Sequence, residues 1–308
     1  MLKFIGKRLL MMIPVLLGVM FIIFSLTYFA PGDPATMLLG EGASAEAIQT
    51  LREEMGLNDS FPVQFARYVT NVFQFDFGTS FITQRPVLTE LWARFPTTAQ
   101  LAVMATITSV LVGVPLGILS AIKQYSGWDT GATFVGLLGI SIPNFWLGLL
   151  LIMFFTVQLG WLPPTGFTTP LHWIMPTITL SGGAIAIIMR MTRSSMLEVI
   201  RQDYIRTAKA KGQTGRKLIT KHALKNALIP VVTVAGLQLG GLLGGAVLTE
   251  TIFSIPGIGS YIFSAISQRD LPVIQGGVLL IAIMFSFVNL LVDILYAFID
   301  PRIKSQYT

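Results

Sequence analysis

The sequence contains no cysteine among its 308 residues and only two histidines, His172 and His222. The missing thiols exclude a disulfide framework, thiolate catalysis, iron–sulfur clusters and thiolate zinc sites. The two histidines lie about fifty residues apart and show no metal-ligand spacing around them. We therefore expect no catalytic residue, no metal site and no cofactor bound by this chain.

Charge is also scarce, since only 12% of the residues are charged and 53% are hydrophobic. Soluble domains carry about 25% charged residues. The mean hydropathy of +0.71 points the same way, because a soluble fold of this size would need more charge to wet its surface. The composition therefore predicts an all-α integral membrane protein.

Charge-free stretches mark the predicted membrane spans, because a helix needs about 20 apolar residues to cross a bilayer. Residues 130–189 carry no formal charge over sixty residues and must contain two spans, divided by the turn-forming residues between Gly160 and Pro170. Pro143 before Asn144 predicts a kink in the third span, where freed carbonyls could line a pathway. We predict one transmembrane domain over 1–308 with six transmembrane helices, at about 9–30, 96–122, 132–158, 171–189, 228–249 and 273–295.

The distribution of basic residues predicts the orientation. Lys3, Lys7 and Arg8 precede the first span, and residues 190–227 hold ten basic and two acidic residues. The segment 31–94 instead holds four basic and eight acidic residues. Because positive charge collects on the cytoplasmic side, both termini and the basic loop 190–227 are predicted in the cytoplasm. The excess charge is thus an orientation signal, and no nucleic-acid partner is expected.

The extracytoplasmic loop 31–94 is too long for a simple connection. It contains a predicted amphipathic helix from about Ser44 to Met55, with Ser44 as the N-cap. A second stretch with apolar periodicity, Phe61–Phe75, is expected against the outer membrane face or a partner. The loop is either a small cap over the helix ends or a docking surface for another protein.

The basic loop 190–227 predicts two short amphipathic helices that form a rigid knob, hinged at Gly212. Apolar residues recur at steps of three and four on each side of that glycine; they are Met196, Leu197, Ile200, Tyr204, Ile205 and Ala208, then Leu218, Ile219, Ala223, Leu224 and Ala227. One reading is an interfacial helix held by anionic lipid. Small residues around the hinge favour the other reading, close approach by a protein partner.

Glycines and a few polar residues stand out inside the spans. G-x-x-x-G spacings in the second and fifth spans allow close helix packing, and their density in the fifth suggests a subunit interface or a pathway. Asp293 shares a helix face with Asn289, and a structural pair with a Lys or Arg of the basic loop is favoured over a proton relay. The candidate pathway or packing residues are Asn144, Gln238, Gly240, Gly244, Asn289 and Asp293.

The sequence lacks a source of energy for transport. It contains no G-x-x-x-x-G-K-[ST] phosphate loop, no inverted repeat of the kind found in ion-coupled carriers, and few core carboxylates apart from Asp293. A chain with membrane spans and a rigid cytoplasmic knob is therefore expected to receive its energy from another protein.

The residues of the knob resemble the coupling motif of permease subunits of ATP-binding-cassette (ABC) importers. The matching runs are Tyr204–Gly212 and His222–Pro230, and further matches are Pro31–Pro34, Asp76–Gly78 with Ser80, Glu250–Phe253, Pro256–Gly259 and Asp300–Ile303. Together they are similar to the dipeptide and oligopeptide branch. Thr207 stands where the family has an acidic residue, so the contact there is expected to rest on shape and backbone.

The resemblance implies a type I ABC importer permease fold in a bacterial inner (cytoplasmic) membrane. It implies the ATPase-coupling residues Tyr204, Thr207, Ala208, Lys209, Ala210, Lys211, Gly212, His222 and Asn226. The implied partners are a second homologous permease subunit, one or two cytoplasmic ATPase subunits that use ATP and Mg²⁺, an extracytoplasmic substrate-binding protein, a peptide substrate and the lipid bilayer.

Several alternatives stay open at this point. Members of the same importer class carry glutathione, nickel complexes or oligosaccharides instead of peptides. An ion-coupled secondary carrier with Asp293 as its proton site is the competing transport class. An intramembrane enzyme is the third, although the sequence offers neither a nucleophile–base pair nor a metal cluster.

Overall fold

The structure, a computed structural model, describes residues 2–40 and 42–299. Long helices dominate this part of the chain, and short ones connect them. The helices are α1 (Leu2–Tyr28), α2 (Pro34–Leu39), α3 (Ala45–Glu54), α4 (Phe61–Phe73), α5 (Val87–Ile122), α6 (Gly127–Ser141), α7 (Asn144–Leu151, continued as a π-helix over Ile152–Gln158), α8 (Pro170–Ile200), α9 (Asp203–Ala210), α10 (Gly215–Lys217, continued as a π-helix over Leu218–Ala223), α11 (Leu224–Gly245), α12 (Val247–Ile252), α13 (Ile258–Gln268) and α14 (Leu271–Ile299). The motif match Asp300–Ile303 lies outside the described residues.

Five helical segments in the described part are long and apolar enough to cross a bilayer: Ile5–Tyr28, Val87–Ile122, Pro170–Ile200, Leu218–Gly244 and Leu271–Leu295. A sixth candidate is the pair formed by α6 and α7, which bends by 101° at its break. Pro143 lies in the break and accounts for it. Proline removes a backbone donor and disfavours helical geometry in the residue before it. The kink expected before Asn144 is present.

The contacts of α5 and α8 show that the bent pair makes a full passage. A Cβ at Gly113 would lie 2.9 Å from the carbonyl oxygen of Ile185, and one at Gly117 would lie 2.6 Å from that of Met189. From the first of these contacts to the second, the residue number increases by four on α5 and by four on α8. The two helices therefore run parallel. The intervening chain must therefore return across the bundle, and the α6–α7 pair is the segment that does so.

Both helices of the bent pair contact α8. At the start of the pair, Arg193 donates two hydrogen bonds of 2.8 Å to Asp129. Further along, a Cβ at Gly139 would lie 2.8 Å from the carbonyl oxygen of Gly182. The pair thus descends along α8 in the antiparallel sense, and the fold prediction of six passages is confirmed.

The remaining long helices pack in antiparallel pairs. The salt bridge between Arg8 and Asp293 is 2.9 Å long and joins the first half of α1 to the last part of α14. At the other end of the same pair, Gln275 donates a hydrogen bond of 2.5 Å to Thr27. The bundle therefore has a basic end, where α8 ends and α11 begins (residues 200–223), and an opposite end with residues 29–86 and 253–270.

A small helical cap, α2–α4, covers the opposite end. Ser44 accepts a hydrogen bond from the Ala47 amide and caps α3, as predicted. The apolar face of α4 packs on α1 through aromatic rings, with Phe24 and Phe61 at 5.3 Å between centroids and Phe21 and Phe65 at 5.6 Å. Part of the apolar face of this stretch thus packs on α1 of the same chain, whereas Val63 and Phe73 stay exposed, so its contact with the membrane face or a partner stays a prediction.

Candidate functional site

The basic end displays a short helix, α9, between two membrane-crossing helices. The chain leaves α8 at Ile200, turns, and starts α9 at Asp203 with Gln202 in an extended N-cap conformation. The continuous helix predicted from Met196 to Ala208 is therefore wrong. An acidic residue in the first turn favours a new helix start at this point, since it complements the positive end of the helix dipole.

The break after α9 lies where the sequence predicts it. Lys211 ends the helix, and Gly212 adopts a φ of +81° with no atom within 4 Å of where a Cβ would stand. Glycine suits this position because of its backbone conformation, and crowding plays no part. The second predicted short helix is longer than expected, because residues 215–223 run on into α11 without interruption.

A hydrogen bond and an apolar cluster hold α9 in place. Asn226 of α11 donates a hydrogen bond of 2.7 Å to the Tyr204 hydroxyl. Beneath the helix, Ile205 packs with Met196 and Ala121 in a buried cluster. The two runs of the predicted coupling motif, which lie about twenty residues apart in the chain, thus meet in space.

The outward side of α9 consists of short and basic side chains. Tyr204, Thr207, Lys209, Ala210 and Lys211 are exposed. Ala208 and His222 are half-buried, and the Thr207 hydroxyl donates to the carbonyl of Asp203 within the helix, at 3.0 Å. Thr207 is thus satisfied locally, and the surface offers shape, backbone and positive charge for a docking contact.

Asp293 forms a structural ion pair, but its partner differs from the expected one. The pair is made with Arg8 of α1, whereas a cation of the basic loop was predicted. Because α1 packs antiparallel to α14, Arg8 near the start of α1 lies beside Asp293 near the end of α14. Asn289 lies one turn away and lines the same crevice between the two helices, of about 270 Å³.

The candidate glycines of α11 pack against α14 within the chain. A Cβ at Gly240 would lie 3.1 Å from Phe285, and one at Gly244 would lie 3.1 Å from Ile281. Both glycines therefore pack against α14 of the same chain, and neither position is free to contact a second subunit. Gln238 is half-buried, and Asn144 is exposed at the start of α7.

A buried carboxylate that sequence reasoning did not single out as a site lies at the opposite end. Glu250 is fully buried, accepts a hydrogen bond of 2.7 Å from the Thr98 hydroxyl, and accepts another of 2.9 Å from the Ser260 amide. A Cβ at Gly257 would lie 2.3 Å from this carboxylate, so only glycine fits there. Burial raises the pKa of Glu250, and the Thr98 hydrogen bond acts in the opposite direction.

A second buried carboxylate fixes the segment between α4 and α5 to the bundle. Asp270, at the start of α14, accepts hydrogen bonds from the Ser80 hydroxyl at 2.5 Å and the Phe81 amide at 3.1 Å. Three motif matches thus contribute to buried anchors: the one with Ser80, Glu250–Phe253 and Pro256–Gly259. The resemblance marked these positions, but nothing in the local sequence reveals the Thr98–Glu250 and Ser80–Asp270 hydrogen bonds, whose partners lie more than a hundred residues apart.

The fold and the displayed helix define a class of protein. The part of the chain that the structure describes is a bundle of membrane-crossing helices with a short helix anchored outside it. The profile described as "Binding-protein-dependent transport system inner membrane component" matches residues 113–305, and its N-terminal counterpart matches residues 1–102. The chain belongs to this family and is a multi-pass inner-membrane protein.

Curated relatives match the chain along its whole length. A "Dipeptide transport system permease protein DppB" of Alkalihalophilus pseudofirmus is 48% identical over 99% of this chain and 100% of its own length. A protein of the same name from Haemophilus influenzae is 47% identical with the same coverage. A "Glutathione transport system permease protein GsiC" of Salmonella paratyphi A is 43% identical over 99% of both chains.

Solved structures show the same fold. A chain of the MetNI methionine ABC transporter, in an inward-facing conformation, has a TM-score of 0.58 at 19% identity and covers 68% of this chain and 96% of its own. A chain of an amino acid ABC transporter has a TM-score of 0.52 at 15% identity and covers 70% and 94%. The fold is therefore that of a type I ABC importer permease, as predicted.

Proposed function

We propose that this chain is the permease subunit of an ABC importer for dipeptides and forms half of the translocation pathway with a second, homologous permease subunit. The observation that carries the proposal is α9, which stands outside the bundle and is anchored to it by the Tyr204–Asn226 hydrogen bond. The full-length similarity to dipeptide permeases supports the substrate.

In this proposal α9 transmits the work of a cytoplasmic ATPase. Closure of the ATPase subunits around ATP and Mg²⁺ moves α9, and the movement passes to α8 and α11 because the chain connects both directly to the knob. Because α9 is anchored to the bundle, little of this movement is lost before it reaches α8 and α11, since packed interfaces move as rigid bodies. This chain itself carries out no chemistry and binds no cofactor.

The basic end faces the cytoplasm in this scheme, as the excess of Lys and Arg over residues 190–227 favours. The opposite end, with the cap and the α13 segment, then faces the substrate-binding protein. That protein delivers the peptide to a pathway between the two permease subunits.

A transport assay tests the proposal. The complete importer is reconstituted in proteoliposomes with its binding protein, and accumulation of a radiolabelled dipeptide is measured with enclosed ATP or with a non-hydrolysable analogue. We expect accumulation only with ATP. Accumulation driven by a proton gradient without ATP would contradict the proposal and favour the carrier class.

Glutathione is the second candidate substrate, because a glutathione permease is 43% identical over nearly the whole chain. The same vesicles distinguish the two substrates when each unlabelled compound competes with the labelled dipeptide. Strong competition by a second dipeptide and weak competition by glutathione are expected. The reverse order would assign the chain to glutathione.

A further inference from the structure

A groove of about 550 Å³ lies under α9, between this helix and the ends of α5 and α8. Its floor is apolar and includes Ile122, Leu197, Ile200, Ile205 and Ile219. The volume falls within the range of roughly 300–1,000 Å³ typical of small-molecule sites. The floor can therefore accept an apolar body such as part of an acyl chain.

Cations surround this floor. Arg201, Arg206 and Lys209 line the groove, and the lining residues that the structure describes include no acid. Asp203 approaches Arg206 at 3.7 Å, but this pair is almost fully exposed, so water weakens it. An occupant with a negative group and an apolar body matches this combination of floor and rim.

Aromatic side chains place the groove at the level of lipid headgroups. Gln124 lines the groove, and next to it in the chain Tyr125 is 86% exposed and Trp128 is 63% exposed. The Lys123 ammonium lies 5.4 Å from the centre of the Trp128 ring. Exposed Trp and Tyr residues beside Lys are typical of the membrane–water boundary, so the groove lies at that boundary.

The groove shares Lys209 with the surface of α9 proposed for the ATPase but otherwise uses another side of the helix. Ile205, Arg206 and Lys209 line it, whereas Tyr204 and Thr207 do not. Filling the groove therefore leaves the Tyr204 and Thr207 side of α9 accessible to the ATPase.

We propose that this groove binds an anionic phospholipid, with its phosphate between Arg201, Arg206 and Lys209 and part of an acyl chain on the apolar floor. A lipid in this position fills the space between α9 and the bundle and stiffens the knob. Each basic residue near a membrane surface contributes to anionic-lipid binding an amount equivalent to about fivefold in affinity.

Native mass spectrometry of the purified full-length chain tests the proposal. The protein is titrated with phosphatidylglycerol or with phosphatidylcholine of the same acyl chains, and retained lipid is counted. We expect preferential retention of phosphatidylglycerol and about fivefold weaker retention by Arg201→Gln. Lys217→Gln is the matched control, because Lys217 lies on the same end but does not line the groove.

Two further arms keep the test decisive. Ile219→Trp fills the apolar floor without a change of charge and should also lower phosphatidylglycerol retention. This variant replaces Arg201→Gln in the test if Arg201→Gln fails to fold. Excess inorganic phosphate should leave the lipid bound. Equal retention of both lipids, equal losses from Arg201→Gln and Lys217→Gln, or displacement by inorganic phosphate would overturn the proposal.

Discussion

Tyr204 and Asn226 illustrate how a single hydrogen bond can join a short surface helix to the bundle. The two residues belong to separate helices, and the Asn226 amide reaches the Tyr204 hydroxyl at 2.7 Å. Both side chains are exposed, so the bond contributes at most about 1 kcal/mol to stability. We expect its larger effect to be on the angle at which α9 leaves the bundle.

A double-mutant cycle tests this anchor. Tyr204→Phe and Asn226→Leu each remove the hydrogen bond, so each should lower ATP-driven uptake severalfold while membrane yield stays normal. The double variant should be no worse than the single ones, because both remove the same bond. Lys225→Gln, an exposed neighbour, is the control, and additive losses would contradict the anchor.

Glu250 has a structural role at the opposite end. Its carboxylate joins α5, α12 and α13 through Thr98 and the Ser260 amide. Glu250→Gln replaces one of the two acceptor oxygens with a donor, so the hydrogen bonds from the Thr98 hydroxyl and the Ser260 amide cannot both be kept. We expect a loss of about 1–3 kcal/mol in stability, measured as a lower unfolding temperature in detergent, whereas Glu198→Gln at an exposed site should have little effect.

At the scale of the helices, apolar runs predict the spans well but not their ends. The charge-free criterion starts the second span near residue 96, yet α5 begins at Val87. Glu90 and Arg94 interrupt the apolar run, but they pair with each other at 2.5 Å within the helix. Likewise α8 continues past Arg193 because this residue pairs with Asp129. A sequence criterion that counts charges cannot see that they are paired.

Glycines determine how closely the helices pack. At Gly117 a Cβ would lie 2.6 Å from the carbonyl oxygen of Met189 on α8, and backbone cannot move aside as a side chain can. Gly117→Ala should therefore destabilise the bundle by about 1–3 kcal/mol. Gly241→Ala is the matched control, because nothing lies within 4 Å of its Cβ position. Equal unfolding temperatures in detergent for both variants would contradict the α5–α8 contact.

For the whole molecule, composition and charge predicted the fold class, because a bilayer imposes long apolar helices whatever their partners. The break at Gly212 was also predictable, since glycine and helical periodicity are local signals. The Arg8–Asp293 pair and the Glu250 anchor were not, because each joins residues that only the assembled bundle brings together. The missed features are thus long-range contacts of charged and polar groups.

The central claim is that α9 is the surface on which the ATPase acts, and a cross-linking experiment tests it most directly. The chain has no cysteine, so single cysteines can be placed in it without further change. Thr207→Cys lies on α9, and Ser267→Cys lies exposed at the opposite end as its control. In membranes with the complete importer, a short reagent with one thiol-reactive end and one photoactivated end should join Thr207→Cys to the ATPase and leave Ser267→Cys unlinked to it. A cross-link from Ser267→Cys, with none from an equally reactive Thr207→Cys, would contradict the account.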